Sequence, residues 1–206
     1  MKNLDHSENL FFRQIDDVEL WHAYKSGNEK AIIFIYQQHY QSLYRYGFKI
    51  CGDKDLTKDC IHDIFTQLWL NRKKNKDVHH IRAYLIKYMR WHLGKKLMQD
   101  KRFIDFEKRP TNADEIQFSY ESLLVNEQIN QELREKLALT LQKLSKRQQE
   151  AIYLRFYNDL SYEQIAEIMS LRYQSVRNLV HESVKALRDC LTFDFNVLLL
   201  IISYLL

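Results

Sequence analysis

The chain has 206 residues, a net charge of +4, one proline and four glycines, and this composition is typical of an almost entirely helical protein. Thirteen tyrosines and eleven phenylalanines are enough to build hydrophobic cores, which excludes a globally disordered chain. The three scattered cysteines form no CxxC pair, so a reduced cytoplasmic protein is expected and neither a disulfide framework nor a metal site is predicted. The first residues do not have the pattern of a signal peptide.

Four helices are predicted in the first half of the chain. Gly27 ends the first, and Asn28 is a favourable cap for the second, which stops near Gly52. A charged loop, residues 72–78, separates the third helix from the fourth. The four helices are expected at residues 16–26, 31–50, 55–71 and 80–99.

Charge is distributed unevenly along the chain. Residues 71–109 hold thirteen Lys and Arg against four acids, and residues 110–140 hold six acids against two bases. A concentrated basic segment indicates a polyanionic partner, although a solvated lysine-rich helix face is the simpler alternative. Residues 100–122 contain the only proline and no sustained apolar period, so a linker is predicted there.

A helix-turn-helix is predicted in the second half. Capping boxes, in which a serine is followed three residues later by a glutamine, begin helices at residues 145 and 161. The first of these helices follows a predicted helix at 123–144 and continues through Tyr157. After a break at 170–172 the apolar residues resume helical spacing, and a short helix, a tight turn and a second helix form the motif.

The second helix of this motif carries hydrogen-bonding side chains opposite its apolar stripe. Arg, Asn and Gln can pair bidentately with base edges in a major groove. A solvated helix in an ordinary bundle is the alternative. The candidate base-reading residues are Arg172, Tyr173, Gln174, Ser175, Arg177, Asn178 and His181.

These elements predict an all-α protein, made of two small helical domains joined by a flexible linker, with the helix-turn-helix in the C-terminal domain. The apolar segment VLLLIISYLL at residues 197–206 is shorter than the roughly 20 residues of a membrane span. It either folds back onto a core groove or contacts a partner or a membrane. The expected boundaries are 10–99 for the first domain, 100–122 for the linker, 123–192 for the second domain and 193–206 for the tail.

Two motifs in a fixed order give the chain a family resemblance. The helix DLTKDCIHDIFTQLW is followed by a basic segment and later by LSYEQIAEIMSLRYQSVRNLV. This combination resembles the extracytoplasmic-function (ECF) group of the sigma-70 family, the small sigma factors of bacterial RNA polymerase. It is most similar to Bacteroidetes members, in which YQSVRNL is a familiar start of the recognition helix. The resemblance covers residues 28–100 and 135–190.

The resemblance implies a polymerase contact on the helix at residues 55–71. In the family this helix docks on the beta-prime subunit, which makes Asp59, Asp63 and Gln67 polar contacts and Trp69 a packing anchor. Judged from the residues alone, both aspartates are solvated and Trp69 belongs to the core.

The resemblance also implies that the basic segment captures the minus-ten promoter element as it melts. Cations neutralise phosphates, and aromatic side chains stack on unpaired bases. Tyr84 and Tyr88 are expected in the core. The candidate minus-ten residues are Lys73, Lys74, Lys76, Lys87, Arg90, Trp91 and Lys95.

By the same resemblance, the helix from Arg172 reads the minus-thirty-five element. The chain departs from the family pattern at Ser170, where a turn glycine is usual, and at Glu182, where an arginine is common. Ser170 must therefore accept a strained backbone or a reshaped turn, and Glu182 weakens phosphate contact at that end of the helix.

The resemblance implies three partners: core RNA polymerase, through its beta-prime and beta subunits; promoter DNA; and an inhibitory anti-sigma factor. The anti-sigma factor can be soluble or membrane-bound. No cofactor and no small-molecule substrate is expected. A helix-turn-helix regulator that never binds polymerase is the first alternative, and a non-DNA adaptor that uses the apolar tail is the second. An enzyme is the least favoured, because the chain lacks HExxH, a Gly-rich phosphate loop and G-x-S-x-G.

Overall fold

The computed structural model describes residues 6–99 and 139–191, and the structural statements that follow concern these residues. The chain divides into two compact units, Met1–Phe106 and Glu107–Leu206. Within the described ranges all regular structure is helical, as predicted. The predicted linker at 100–122 and the apolar tail lie outside the described residues, as does most of the helix predicted at 123–144.

The first unit contains the four predicted helices and one that was not predicted. The extra helix lies at the N-terminus, where no element was predicted. It packs on the unit through Phe12, whose ring lies 5.4 Å from that of Phe34. The helices are α1 (His6–Gln14), α2 (Asp17–Lys25), α3 (Glu29–Cys51), α4 (Lys54–Asn71) and α5 (Ile81–Gln99).

The ends of α3 confirm the caps predicted from sequence. Asn28 accepts hydrogen bonds through Oδ1 from the backbone N–H of Lys30 at 2.9 Å and of Ala31 at 3.3 Å. At the other end Gly52 adopts the left-handed conformation, with φ 66°. A side-chain cap at one end and a positive-φ glycine at the other satisfy the backbone groups that a helix leaves unpaired.

The core of the first unit lies between α3, α4 and α5. The apolar face predicted for α4 is buried, including Ile61, Ile64, Phe65 and Leu68. Cys51 and Cys60 are buried free thiols in the same core, and burial raises the pKa of Cys60 to about 11. Such thiols are inert at neutral pH.

His39 on α3 is buried in this core, and its Nδ1 atom has no hydrogen-bond partner. Burial, assisted by the nearby charge of Arg82, lowers its pKa from 6.5 to about 4. The folded state therefore keeps His39 neutral at pH values where the unfolded chain protonates it. The stability that this contributes is complete above pH 6.5 and is lost as the pH falls toward 4.

We expect acid to weaken the first unit through His39. Between pH 7.5 and 4.5 the wild type should lose about 2–3 kcal/mol more unfolding free energy than His39→Leu, which cannot titrate at this position. Urea unfolding followed by tryptophan fluorescence measures this, because all three tryptophans (Trp21, Trp69 and Trp91) lie in the first unit. Parallel pH curves for the two proteins would contradict the expectation.

The second unit has the predicted helix-turn-helix. Residues 139–143 are helical and are followed by α6 (Lys146–Ile152), α7 (Tyr162–Met169) and α8 (Tyr173–Leu191). Both predicted capping boxes are present, and the Ser145 and Ser161 hydroxyls each accept from the N–H three residues on at 3.3 Å. The prediction of one regular helix through Tyr157 was wrong in its last turn, because Tyr153–Tyr157 forms a π-helix.

The apolar stripe predicted for α8 faces α6 and α7. Val176, Val180 and Leu187 are buried, as are Ile165 and Ile168 on α7. Ser183 lies in the same stripe, and its hydroxyl donates to the Leu179 carbonyl at 2.6 Å. A buried hydroxyl with a backbone partner fits an apolar interface without a desolvation penalty.

Ser170 ends α7 in the left-handed conformation, with φ 55° and ψ 44°. Of the two alternatives predicted at this position, a strained backbone and a reshaped turn, the structure has the strained backbone. The geometry lets the Leu171 N–H donate to the Ala166 carbonyl at 2.9 Å, which closes the helix end.

A glycine at this turn should remove the strain. Because a left-handed backbone costs a non-glycine residue about 1 kcal/mol, we expect Ser170→Gly to stabilise the second unit by roughly that amount. Ser170→Val, whose branched side chain tolerates this backbone less well, should destabilise it. Amide hydrogen exchange in α7 and α8 measures both changes, and equal protection in the two variants would contradict the prediction.

Among the described residues, no helix is long and apolar enough to cross a membrane.

Candidate functional site

Three predicted polymerase-contact residues share one face of α4. Asp59, Asp63 and Gln67 follow each other at intervals of four residues, which places them in a line along the helix. Asp59 and Gln67 are exposed, and Asp63 is half-exposed. The line is therefore accessible to a partner over about two helical turns.

Asp63 already has partners within the first unit. Its Oδ2 atom lies 2.6 Å from Lys96 Nζ and 3.4 Å from His92 Nε2, both on α5. The hydrogen bond from Lys96 lowers the pKa of Asp63. Burial disfavours the charged Lys96 amine, but its hydrogen bond to Asp63 and the nearby acids outweigh this and raise its pKa. Asp63 thus connects α4 to α5, a role that the sequence did not reveal.

Trp69 does not share the face with the other three residues. It lies two positions beyond Gln67, which is about 160° away around a helix. Its ring is covered by Arg72, whose guanidinium carbon lies 4.4 Å from the ring centroid. The apolar residue on the polar face is Leu70, which is 70% exposed. Leu70 follows Asp63 by seven positions, which is about two helical turns, and this spacing could have indicated from the sequence that the two residues share a face.

The loop between α4 and α5 is held by α2. Trp21 Nε1 donates to the Lys76 carbonyl at 2.9 Å, and Lys25 pairs with Asp77 at 2.5 Å. The Ile81 N–H, at the start of α5, donates to Asp17 Oδ2 at 2.8 Å. These contacts fix the loop backbone and leave three predicted phosphate-binding side chains exposed: Lys73, Lys74 and Lys76.

The aromatic side chains of α5 form a continuous row with α2. Tyr84 packs on Trp21 at 5.2 Å, Tyr88 follows Tyr84 at 6.2 Å, and Trp91 follows Tyr88 at 6.0 Å. Exposure increases along the row, from fully buried Trp21 to Trp91, which is 58% exposed. Tyr84 and Tyr88 are half-buried, so they belong only partly to the core in which they were expected.

Cations flank the exposed end of this row. Lys87, Trp91 and Lys95 are exposed at four-residue intervals and therefore share a face, and Arg90 beside them is half-exposed. Lys95 Nζ lies 5.5 Å from the centroid of the Trp91 ring. An exposed indole bordered by lysines suits an unstacked base with its phosphates.

All seven predicted base-reading residues are exposed in the second unit. They lie at the start and on the outer face of α8, opposite the buried stripe. Gln174 Nε2 donates to Asn178 Oδ1 at 2.9 Å. Glu182 is exposed on the same helix, so its carboxylate faces solvent.

Residues before the helix-turn-helix brace the start of α8. Tyr162 of α7 packs against Tyr173 at 6.0 Å in an edge-to-face arrangement. Arg155 lies 5.2 Å from the Tyr162 ring, and its Nη1 atom donates to the Leu160 carbonyl at 2.9 Å. These positions were not predicted as part of the site, because only the folded motif brings them beside Tyr173.

In the described part of the chain no cluster of three or more His, Cys, Asp or Glu residues could hold a metal ion.

Comparisons with known proteins agree with this geometry. Residues 134–187 match the family model described as Sigma-70, region 4. The fold is similar to CnrH, solved in complex with the cytosolic domain of CnrY, with a TM-score of 0.57, 18% identity, and coverage of 85% of this chain and 97% of that chain. It is also similar to the sigma factor RpoE from Bartonella quintana, solved with the anti-sigma factor NepR.

The match to the Bartonella quintana RpoE structure has a TM-score of 0.52 and 16% identity, and it covers 77% of this chain and 95% of that chain. No curated protein matches the sequence. At these identities the solved structures establish the fold, and the region 4 match establishes the sequence family of the second unit. The region 4 match and the two similar folds agree with the resemblance to extracytoplasmic-function sigma factors that was predicted from the sequence.

Proposed function

We propose that this protein is a sigma factor, which directs core RNA polymerase to specific promoters and helps to melt the DNA for initiation. The observation that carries the proposal is the combination of two surfaces in one chain. A region 4 helix-turn-helix has its predicted base-reading residues exposed. The other unit has an exposed tryptophan between lysines, which double-stranded readout does not need.

In this proposal the first unit binds polymerase and the minus-ten element, and the second unit binds the minus-thirty-five element. The polar face of α4, with Asp59, Gln67 and Leu70, binds the beta-prime subunit of polymerase. Helix α8 reads the minus-thirty-five element in the major groove. The loop at 72–80 and the exposed face of α5 hold the melted minus-ten strand. Polymerase supplies the catalytic chemistry, so the chain itself acts as a binding subunit in the cytoplasm.

An anti-sigma factor is the further partner that we propose. One similar structure is described as a complex with an anti-sigma factor, and the other as a complex with the cytosolic domain of a second protein. A protein that covered the face of α4 would compete with polymerase for the same residues. Such competition would keep the sigma factor inactive until the partner is removed.

Run-off transcription with core RNA polymerase and genomic promoter fragments tests the proposal. The wild type should give defined transcripts that require the chain. Asp59→Arg reverses the charge of an exposed residue that has no role in the core, and it should reduce these transcripts by at least about tenfold, which corresponds to 1.4 kcal/mol of lost binding. Glu19→Arg makes the same charge change at an exposed position of α2 and should leave the transcripts unchanged.

Two other outcomes would change the assignment. Transcripts that are equally strong with Asp59→Arg would move the polymerase contact away from this face of α4. Binding of promoter DNA by the chain alone, without any polymerase-dependent transcript, would identify a conventional helix-turn-helix regulator.

A further inference from the structure

Gln174 and Asn178 form an amide pair on the outer face of α8. Both side chains are exposed, and they are four residues apart, so one lies above the other on the helix. Gln174 Nε2 donates a hydrogen bond to Asn178 Oδ1 at 2.9 Å. The sequence predicted two separate base-reading residues here, but the structure connects them.

The hydrogen bond decides which polar atoms remain for DNA. Each side-chain amide has one oxygen that accepts and one nitrogen that carries two N–H donors. After the bond is formed, Gln174 keeps its Oε1 acceptor and one N–H donor. Asn178 keeps its two N–H donors, and its Oδ1 atom, which has a second lone pair, is already engaged by Gln174. Gln174 is therefore the member of the pair whose oxygen is unengaged, and it offers this acceptor together with its remaining donor.

We infer that this acceptor and donor of Gln174 read the adenine of one A·T base pair in the upstream promoter element. In the major groove adenine presents the N7 acceptor beside the N6 donor, which is the complement of the Gln174 edge. Guanine presents two acceptors, N7 and O6, so Gln174 Oε1 would face O6 without a proton between them. The inference rests on the proposed DNA-binding function and specifies which base the site selects.

The position of the pair agrees with this assignment. Gln174 is the second residue of α8, and the first residues of a recognition helix are those that contact base edges. Asn178 lies one turn later and holds the Gln174 amide in place, so Gln174 loses less side-chain freedom when it binds. Gln174 is therefore the base-contacting residue, and Asn178 is a positioning residue that acts through it.

The test is a selection from DNA duplexes in which the upstream element is randomised, made with the full chain alone and with the chain bound to core polymerase. The wild type should enrich adenine at one position by about tenfold over guanine, within the range for a bidentate contact. Gln174→Ala should abolish the preference at that position and leave the others. Gln174→Glu, which has two acceptors, should shift the preference toward cytosine, whose N4 group is a donor.

Asn178 is tested in the same selection. Asn178→Ala should weaken the adenine preference at the same position only, whereas loss of a purely structural residue would lower binding to all sequences equally. Asn178→Asp keeps the accepting oxygen and should restore the preference ratio. Gln37→Ala removes an exposed glutamine of α3 and should change nothing.

An adenine preference that survives Gln174→Ala, or a selected pool with no such position, would overturn the inference. Failure of the proposed sigma function is a separate result, because it is scored by polymerase-dependent run-off transcripts. If those transcripts form and no preference depends on Gln174, only the amide-pair inference fails. If the chain alone selects a Gln174-dependent adenine without supporting transcription, the inference stands and the sigma function fails.

Discussion

A valine at position 47 should destabilise the first unit by about 3 kcal/mol, at the upper end of the usual cost of overpacking a core. A Cβ atom built on Gly47 would lie 2.2 Å from Met89 Cε and 3.0 Å from Thr57 Cγ2. Met89 and Thr57 are fully buried, and the Thr57 hydroxyl donates to the Asp53 carbonyl at 2.6 Å. The Met89 methyl must turn away within a filled core, and Thr57 is held by its hydrogen bond, so the added side chain pushes α3 away from α4 and α5.

Gly94 provides the matched control. It lies within α5, and a Cβ atom there would meet nothing within 4 Å. Gly94→Val should change stability by less than about 0.5 kcal/mol, because valine is a slightly better helix former than glycine. Thermal unfolding followed by tryptophan fluorescence should show a midpoint lower by more than about 10 °C for Gly47→Val. Equal midpoints for the two variants would contradict the predicted helix crossing.

The helix boundaries could be predicted because their signals are local. Asn28, Gly52 and the two Ser–Gln capping boxes act within three or four residues, and each is found where it was expected. The exposed face of α8 could be predicted for a similar reason, since helical periodicity separates a buried stripe from a polar face. The π-turn at Tyr153–Tyr157 has no comparable local signal and was read as a regular helix.

Contacts between helices could not be predicted, because they depend on how the helices cross. Asp63 was assigned to a partner, but it also pairs with Lys96, 33 positions along the chain. The loop before α5 was predicted as a charged segment that captures DNA, but its attachment to α2, through Trp21 on the Lys76 carbonyl and Lys25 on the Asp77 side chain, was not predicted. In both cases residues far apart in sequence become neighbours only after the core has formed.

Helical phase and residue type favour different apolar contacts on α4, Leu70 and Trp69. A tryptophan is the usual anchor of a protein interface, so Trp69 was the natural choice. The structure covers its ring with Arg72 and leaves Leu70 exposed on the face that carries Asp63 and Gln67. Counting positions around the helix from Asp59 would have selected Leu70. For the proposed polymerase contact, spacing therefore favours Leu70, whereas residue type favours Trp69.

Trp91→Ala should weaken the hold on melted promoter DNA while leaving the fold intact. The ring is 58% exposed, so its loss removes little core packing, and it stands at the exposed end of an aromatic row with Lys95 beside it. Stacking of one base on an aromatic side chain contributes about 1–3 kcal/mol, so the complex with melted DNA should weaken by roughly 5- to 150-fold. Trp91→Phe, which keeps a stacking surface, should restore most of the loss.

Phe11→Ala is the control for exposure, because Phe11 on α1 is also 58% exposed but lies outside the basic and aromatic face of α5. The fluorescence of 2-aminopurine placed in the minus-ten element reports strand opening by the chain bound to core polymerase. The fluorescence signal should fall with Trp91→Ala and stay unchanged with Phe11→Ala. Binding to the duplex minus-thirty-five element should be the same in the wild type and in these two variants. Because the proposed double-stranded readout and the proposed base stacking lie in different units, normal opening by Trp91→Ala would remove α5 from the melting step and leave the proposal for α8 standing.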